Sequence, residues 1–442
     1  MRFKSLLRKV QPAALREYLR TSLWLVPVTG VLAAIGFAQV SLRVDQRIEQ
    51  NQEAWYLFYG QADSARELLS TIASSLMTFT GVVFSITILV LQIASSQFSP
   101  RVLRTFLEDR FTRFSMGMFV GSFTYAMVLL PEVREPTDQH PAFVPALSIF
   151  LAFVLVLLSV GVFVRYIHHM AHSIRAVHVI HRVADETRHS LARMYPEQAR
   201  EPVAPVTVPR TPPDQEFPHD RPPGVVMAIE EAELLALACD RDVIIALVPM
   251  VGDFLPRGAP LFKVWGQGRL SLDELRDCVV VGEERTPYQD PAFGFRQLVD
   301  VAERALSPAI NDPTTAVQAL DQLHDLLRSL ATRPFPAHLR VDTSGRLRLI
   351  LPRPDWEGLV RLGLDEIREY GESSIQVARR LRAVLGDLLS VAPADRQAVL
   401  QEQLSLLEAS ARRGFHTEVE RRSARLGSTQ GQAPGSTPAP GP

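Results

Sequence analysis

The chain has 442 residues, 47% of them hydrophobic and 21% charged, and a formal net charge of −1. That is enough material for a membrane part and a folded soluble domain, and the charge balance gives no global argument for a nucleic-acid partner. Having only Cys239 and Cys278, both far from the long apolar runs, argues against a disulfide framework and suits a reducing compartment.

Residues 1–20 carry six basic groups against the single acid Glu17, and Thr21 to Leu42 is then uncharged. A secretory leader also begins basic, but its apolar core runs about 7–15 residues, so this longer run reads as a retained anchor spanning about 21–42. The loop at 43–67 mixes both signs. From Leu68 to Pro100 no side chain is charged, and these 33 residues would reach roughly 50 Å as helix, more than the ~30 Å hydrocarbon layer. A second span is therefore expected at 68–95. Plotted as a helix it is unusually polar on one side, where Thr71, Ser74, Ser75, Thr78, Ser85, Gln92 and Ser96 share a stripe broken by Val82 and Leu89. Two readings fit the stripe: hydroxyls lining a water-filled path with Leu89 as an apolar constriction, or hydroxyls packing one helix of a bundle against another.

After it, Val102, Leu103, Phe106, Leu107 and Phe111 recur at helical spacing among Arg101, Arg104, Arg110 and Arg113. This pattern predicts an amphipathic helix in the headgroup layer, or else a short connector. A third span is expected at 114–131, with Gly117, Gly121 and Ser122 as small packing residues. A fourth, at 141–164, is the most lipid-like. As bounded here, none of the four spans contains an ionisable residue, which argues against a proton relay or an intramembrane ion site. The N-terminus, 101–113 and the stretch after Arg165 are basic and the other two loops are not. By the positive-inside rule both termini then lie in the cytoplasm.

The segment leaving span four is rich in histidine, and His178, His181, Asp185 and His189 fall on one helical face. Such a set could hold a divalent metal, titrate near neutral pH, or simply be a solvated surface. Nine prolines between 196 and 223 predict an extended linker. The membrane domain, 1–195, would thus be joined to an α+β domain at 224–425, with a disordered tail at 426–442. In that domain PGVVMAI, DVIIALVPMVG and APLFKVWG read as strands, EEAELLALACD as a helix, and VGDFLPRGAPLFKV as a strand–turn–strand with Gly252 and Gly258 at the turns. HLRVDTSGRLRLILP reads as a hairpin. Arg285, Gln289, Asp290, Asn311, Asp312 and Thr315 could line a ligand or subunit site, although Asp-Pro pairs also simply open helices.

The motifs SSQFSPRVLRTFLEDRFTRF, the IHH segment after span four, ERTPYQDPAFGFRQLVD and ALSPAINDPTTA are similar to the hallmarks of a large bacterial family of membrane proteins catalogued only as a domain of unknown function. The resemblance implies an inner-membrane location and carries no activity, cofactor or catalytic residue. No phosphate-binding loop, dinucleotide fingerprint, nucleophile elbow, HExxH or CxxC occurs in the sequence, so no enzyme activity and no cofactor are expected. The reading is a four-helix transmembrane bundle followed by a cytoplasmic α+β domain. Its expected partners are the lipid bilayer, further copies of itself and an unidentified small ligand or ion. The leading function is a homo-oligomeric channel- or transporter-like protein. The alternative is a membrane-anchored sensor or scaffold that transports nothing.

Overall fold

A computed structural model describes residues 24–51, 61–97, 101, 106, 109–135, 143–196, 207–335 and 338–425. The basic N-terminal segment, Arg104 and the tail at 426–442 lie outside these residues. The chain divides into two compact units, the first reaching His178 and the second running from Val179 onward.

Among the described residues the first unit holds four helices long and apolar enough to cross a membrane: α1 (Leu25–Asn51), α2 (Ala62–Gln97), α3 (Arg110–Leu129) and α4 (Ala146–Ser173). Helices α1 and α3 cross backbone to backbone. A Cβ built on Gly30 would lie 2.5 Å from the Gly117 carbonyl oxygen, and one on Gly121 would lie 3.1 Å from the Gly30 oxygen. Gly117 and Gly121 thus form a small-xxx-small contact of the kind that draws spanning helices together. Helix α2 is held through side chains instead. Phe79 stacks on Phe163 at 4.9 Å and meets the edge of Phe119 at 6.4 Å, while Tyr166 Oη donates to the Val83 carbonyl and shares a hydrogen bond with Thr87.

Two boundaries differ from the sequence expectation. Helix α1 passes straight through Arg43, Asp45 and Arg47 to Asn51, so the first span, Leu25–Ile48, does contain ionisable residues. The reason is a pairing that the hydropathy pattern does not show: Asp45 is turned inward and buried. Span four, expected at 141–164, also ends later than its uncharged run: α4 continues through Arg165 to Ser173, and α5 follows from Ala176 to Met194.

The second unit takes in α5 from Val179 onward, whose buried stripe (Val179, Val183, Ala184, Thr187, Leu191) has the period of an amphipathic helix. Its strands are β1 (Gln215–Pro218), β2 (Gly224–Ile229), β3 (Ile244–Leu247), β4 (Phe254–Leu255), β5 (Pro260–Trp265), β6 (Val279–Gly282), β7 (Leu339–Val341) and β8 (Leu347–Ile350). They form a five-stranded sheet in the order β1-β5-β3-β8-β7 and a three-stranded sheet in the order β4-β2-β6. The linker expected at 196–223 is folded in its second half. Strand β1 pairs antiparallel with β5 there, and the buried His219 takes the Pro222 carbonyl as partner; prolines sit at a sheet edge without loss because an edge strand needs only one set of ladder bonds. The strands flanking Gly258 are not a hairpin, because β4 pairs with β2 and β5 belongs to the other sheet. The hairpin at Ser344-Gly345 forms as read, with Gly345 at φ +79°.

Helix α6 (Glu231–Asp240) and the short α7 (Leu272–Arg276) cover the sheets. The remaining helices are α8 (Pro291–Leu306), α9 (Pro313–Ala331), α10 (Trp356–Tyr370), α11 (Ile375–Val391), α12 (Gln397–Gly414) and α13 (Glu418–Arg425). Most begin on a side-chain cap: Asp290, Asp312, Asp355 and Ser374 each accept from the first-turn backbone.

Candidate functional site

Helix α2 buries Ala65, Leu69, Ile72, Leu76, Val83, Thr87, Val90 and Ala94 against the bundle. The opposite face carries the polar stripe. Thr71, Ser74, Ser75, Thr78, Ser85, Leu89, Gln92 and Ser96 are all exposed, so they do not pack the chain's own four helices together. The outward faces of the neighbours are apolar, with Leu32, Ile35 and Val40 on α1 and Phe150, Phe153, Leu157 and Val164 on α4. Among the described residues, helix α2 turns a run of hydroxyl-bearing side chains away from the unit, where α1 shows only the isolated Thr29 and Gln39 ahead of Arg43.

Four of the hydroxyls on that face find partners within the helix. Ser74, Thr78 and Ser85 donate to the carbonyls of Ser70, Ser74 and Gly81 at 2.8–3.0 Å, and Ser96 donates to Ile93. Their donors are therefore satisfied within the helix, and what they present outward is oxygen lone pairs. Glu67 falls on the same arc one turn before Thr71, with Asp63 at its edge, and both are exposed. Gly81 adds room, since a Cβ there would meet nothing within 4 Å.

Inside the unit, two polar clusters were not foreseen. Asp45 accepts from the backbone N–H of Leu147 at 2.9 Å and of Ser148 at 3.0 Å, and from the Ser148 hydroxyl. It caps the start of α4 from a different helix, placing a carboxylate at the positive end of that helix. Beside it, Tyr125 Oη shares a hydrogen bond with Ser41 and donates to the Ser148 carbonyl. At the other end Asp109 caps α3 through Thr112 and meets His169 Nε2 at 2.9 Å. The acid of the FLEDR motif and the second histidine of the IHH motif are thus one contact. Burial raises the Asp109 pKa, yet the Thr112 and His169 bonds outweigh it and hold the carboxyl below its ordinary value.

Arg110 and Arg113 belong to the first turn of α3 and not to a separate surface helix, and Arg113 is buried at 8% exposure. Arg101 is exposed. His178, His181, Asp185 and His189 do share the exposed face of α5, but Asp185 pairs with Arg188 and His189 bonds the Asp185 carbonyl. Among the described residues no group of three or more metal-ligating side chains is arranged to hold an ion.

The residues of the ERTPYQDP and PAIND motifs are used internally. Asp290, 1% exposed, takes Arg285 at 2.7–2.8 Å and caps α8 by accepting from Phe293. Its pKa is raised by burial, with Arg285 pulling the other way. Gln289 pairs both ways with the Ile229 backbone. Gly252, at φ +96°, lies so close to the Arg285–Asp290 pair that a Cβ would fall 2.4 Å from the carboxylate. Asp312 caps α9 through Thr314 and Thr315, and Asn311 takes a left-handed φ of +49° at the turn. The two motifs do not meet, because they sit at opposite ends of the 16-residue helix α8, roughly 24 Å apart at 1.5 Å per residue.

Comparison with known proteins fits this architecture. A family model described as "Predicted membrane protein (DUF2254)" matches residues 20–387. The chain belongs to this family. Among its relatives, an uncharacterized protein of Mycobacterium bovis, Mb1321c, is 33% identical over 418 residues, covering 92% of this chain and 80% of that protein. The uncharacterized Rv1290c of Mycobacterium tuberculosis matches to the same extent, 33% over 418 residues. No solved structure matches. The DUF2254 relatives bring no activity with them, so the function has to be argued from this chain's own geometry.

Proposed function

We propose that this DUF2254 protein is an inner-membrane protein that assembles from several copies through α2 and passes a small cation or water along the axis between them. The observation that supports this reading is the outward hydroxyl face of α2. Facing lipid it would gain nothing, whereas facing an axis its lone pairs would replace part of a cation's hydration shell. Glu67 and Asp63 at one end of the same arc would form an acidic mouth, the usual arrangement for drawing cations, and Leu89 with Val82 an apolar constriction. A path through one chain's own bundle is disfavoured, because Phe79, Phe119 and Phe163 close its interior. The basic flanks place both termini and the second unit in the cytoplasm on this reading. The protein then needs no catalytic residue and is not an enzyme.

The test is flux in liposomes holding the purified protein. Wild type should release a trapped monovalent cation, and Thr78→Leu or Ser85→Leu should slow release by an order of magnitude or more. Wild-type-like flux in both variants would sink the axial path. A second reading, a membrane-anchored scaffold whose second unit binds a ligand without transport, is supported by a separate observation, the basic cavity among its last helices.

A further inference from the structure

Helices α11, α12 and α13 enclose a cavity of about 250 Å³. Three guanidinium groups, Arg382, Arg412 and Arg421, and one carboxylate, Glu408, line it over an apolar floor that includes Ala378 and Leu407. None of these residues belongs to the motifs discussed above.

The charged groups do not cancel. Glu408 reaches only Arg382, at 3.4 Å, and Glu418, outside the lining, lies 4.0 Å from Arg421, which leaves Arg412 unpaired among the described residues. Arg382 Nε is buried and has no hydrogen-bond partner among the described residues. Arg421 is held in place by its Nε, which donates to the Phe415 carbonyl, so that its remaining N–H groups have a fixed direction. Arg379 Nε donates to the Ser423 carbonyl and ties α13 down over the site. The volume corresponds to roughly eight waters at ~30 Å³ each, too small for a nucleotide or a peptide. Three guanidinium groups in one lining suit an anion with several equivalent oxygens, since arginine binds phosphate oxygens two at a time.

We propose that this cavity binds a small phosphate-bearing molecule from solution, its phosphate held by Arg382, Arg412 and Arg421 and its short carbon body set on the floor at Leu407. The inference is independent of the channel reading, because it concerns the second unit alone.

The experiment is calorimetric titration of the full-length protein in detergent with pyrophosphate, at ionic strength matched with chloride. Saturable binding is expected. Arg382→Gln and Arg412→Gln should each weaken it at least about tenfold, the loss of one charge-assisted contact, while Arg257→Gln on an exposed turn should leave it unchanged. If Arg382→Gln does not fold, Arg412→Gln, whose side chain is exposed, gives the same reading. No saturable binding, or equal losses in the Arg257 control, would overturn the site. Phosphatidylglycerol vesicles, with phosphatidylcholine as control, form a second arm. Displacement of pyrophosphate by the former alone, lost in Arg412→Gln, would assign the phosphate to a lipid headgroup and overturn the soluble ligand.

Discussion

Replacing Gly30 by alanine should be among the most damaging single-methyl changes in the membrane unit, and the geometry says by how much. The new Cβ would lie 2.5 Å from the Gly117 carbonyl oxygen and 3.1 Å from its carbon, both backbone atoms that cannot swing aside. Restoring an ordinary contact of about 3.3 Å requires α1 and α3 to part by nearly 1 Å, and overpacking of that kind costs about 1–3 kcal/mol. The separation also loosens the Phe37–Tyr125 ring contact, now 5.3 Å, and the Ser41–Tyr125 hydrogen bond. Gly36, on the same helix, is the control: a Cβ there meets nothing within 4 Å, so Gly36→Ala should stabilise by up to about 1 kcal/mol through helix propensity alone. Gly121→Ala, at 3.1 Å, should fall between. The assay is denaturant unfolding of the purified variants in one detergent. If Gly30→Ala and Gly36→Ala unfold alike, the close crossing of α1 and α3 is refuted.

Two further outcomes follow from the polar contacts. Asp45→Ala removes the acceptor for two backbone N–H groups and one hydroxyl at the start of α4 and should cost about 3 kcal/mol or more, with Asp45→Asn intermediate because it keeps one acceptor oxygen; unfolding within about 0.5 kcal/mol of wild type would show the cap to be idle. Glu303 on α8 has its pKa pushed up to about 7, by burial first and then by the neighbouring Glu366, with Arg296 opposing. Its folded value lies above the ordinary 4.5, so the folded state binds the extra proton and stability falls as pH rises from about 4.5 to about 7. Glu303→Gln should flatten that slope when unfolding is followed between pH 5 and 8, and an unchanged slope would remove Glu303 as its source.

The readable part of this chain was the part governed by local rules. Uncharged runs gave the spans, and Asp290-Pro291 and Asp312-Pro313 gave helix starts whose caps are seen in the structure. The 100°-per-residue plot gave the hydroxyl stripe of α2, but a helical wheel has no outside. Only packing shows that Leu69, Ile72 and Leu76 turn inward and Thr71, Ser74 and Thr78 outward. The first predicted span stopped at Leu42 because Arg43 and Asp45 follow and a charge normally ends a span; the partners of Asp45 lie about a hundred residues further on, at Leu147 and Ser148, and no local pattern announces them. The Asp109–His169 contact and the cavity of Arg382, Arg412 and Arg421 are of the same kind, each built from residues that read singly as helix caps or solvated surface. The proline-rich stretch failed for another reason: composition predicts an unpaired backbone, yet Gln215–Pro218 finds an edge at β5.

Assembly through α2 is tested most directly by cysteine cross-linking in native membranes. The background carries Cys239→Ser; the buried Cys278, whose thiol is pushed up to about 11 by burial and nearby carboxylates, stays inert. Single cysteines at Thr78 and Ser85 should form disulfide-linked dimers on mild oxidation, while one at Leu157, on the apolar outward face of α4, should not. Cross-linking at Leu157 with none at Thr78 or Ser85 would place the hydroxyl face against lipid and contradict the account.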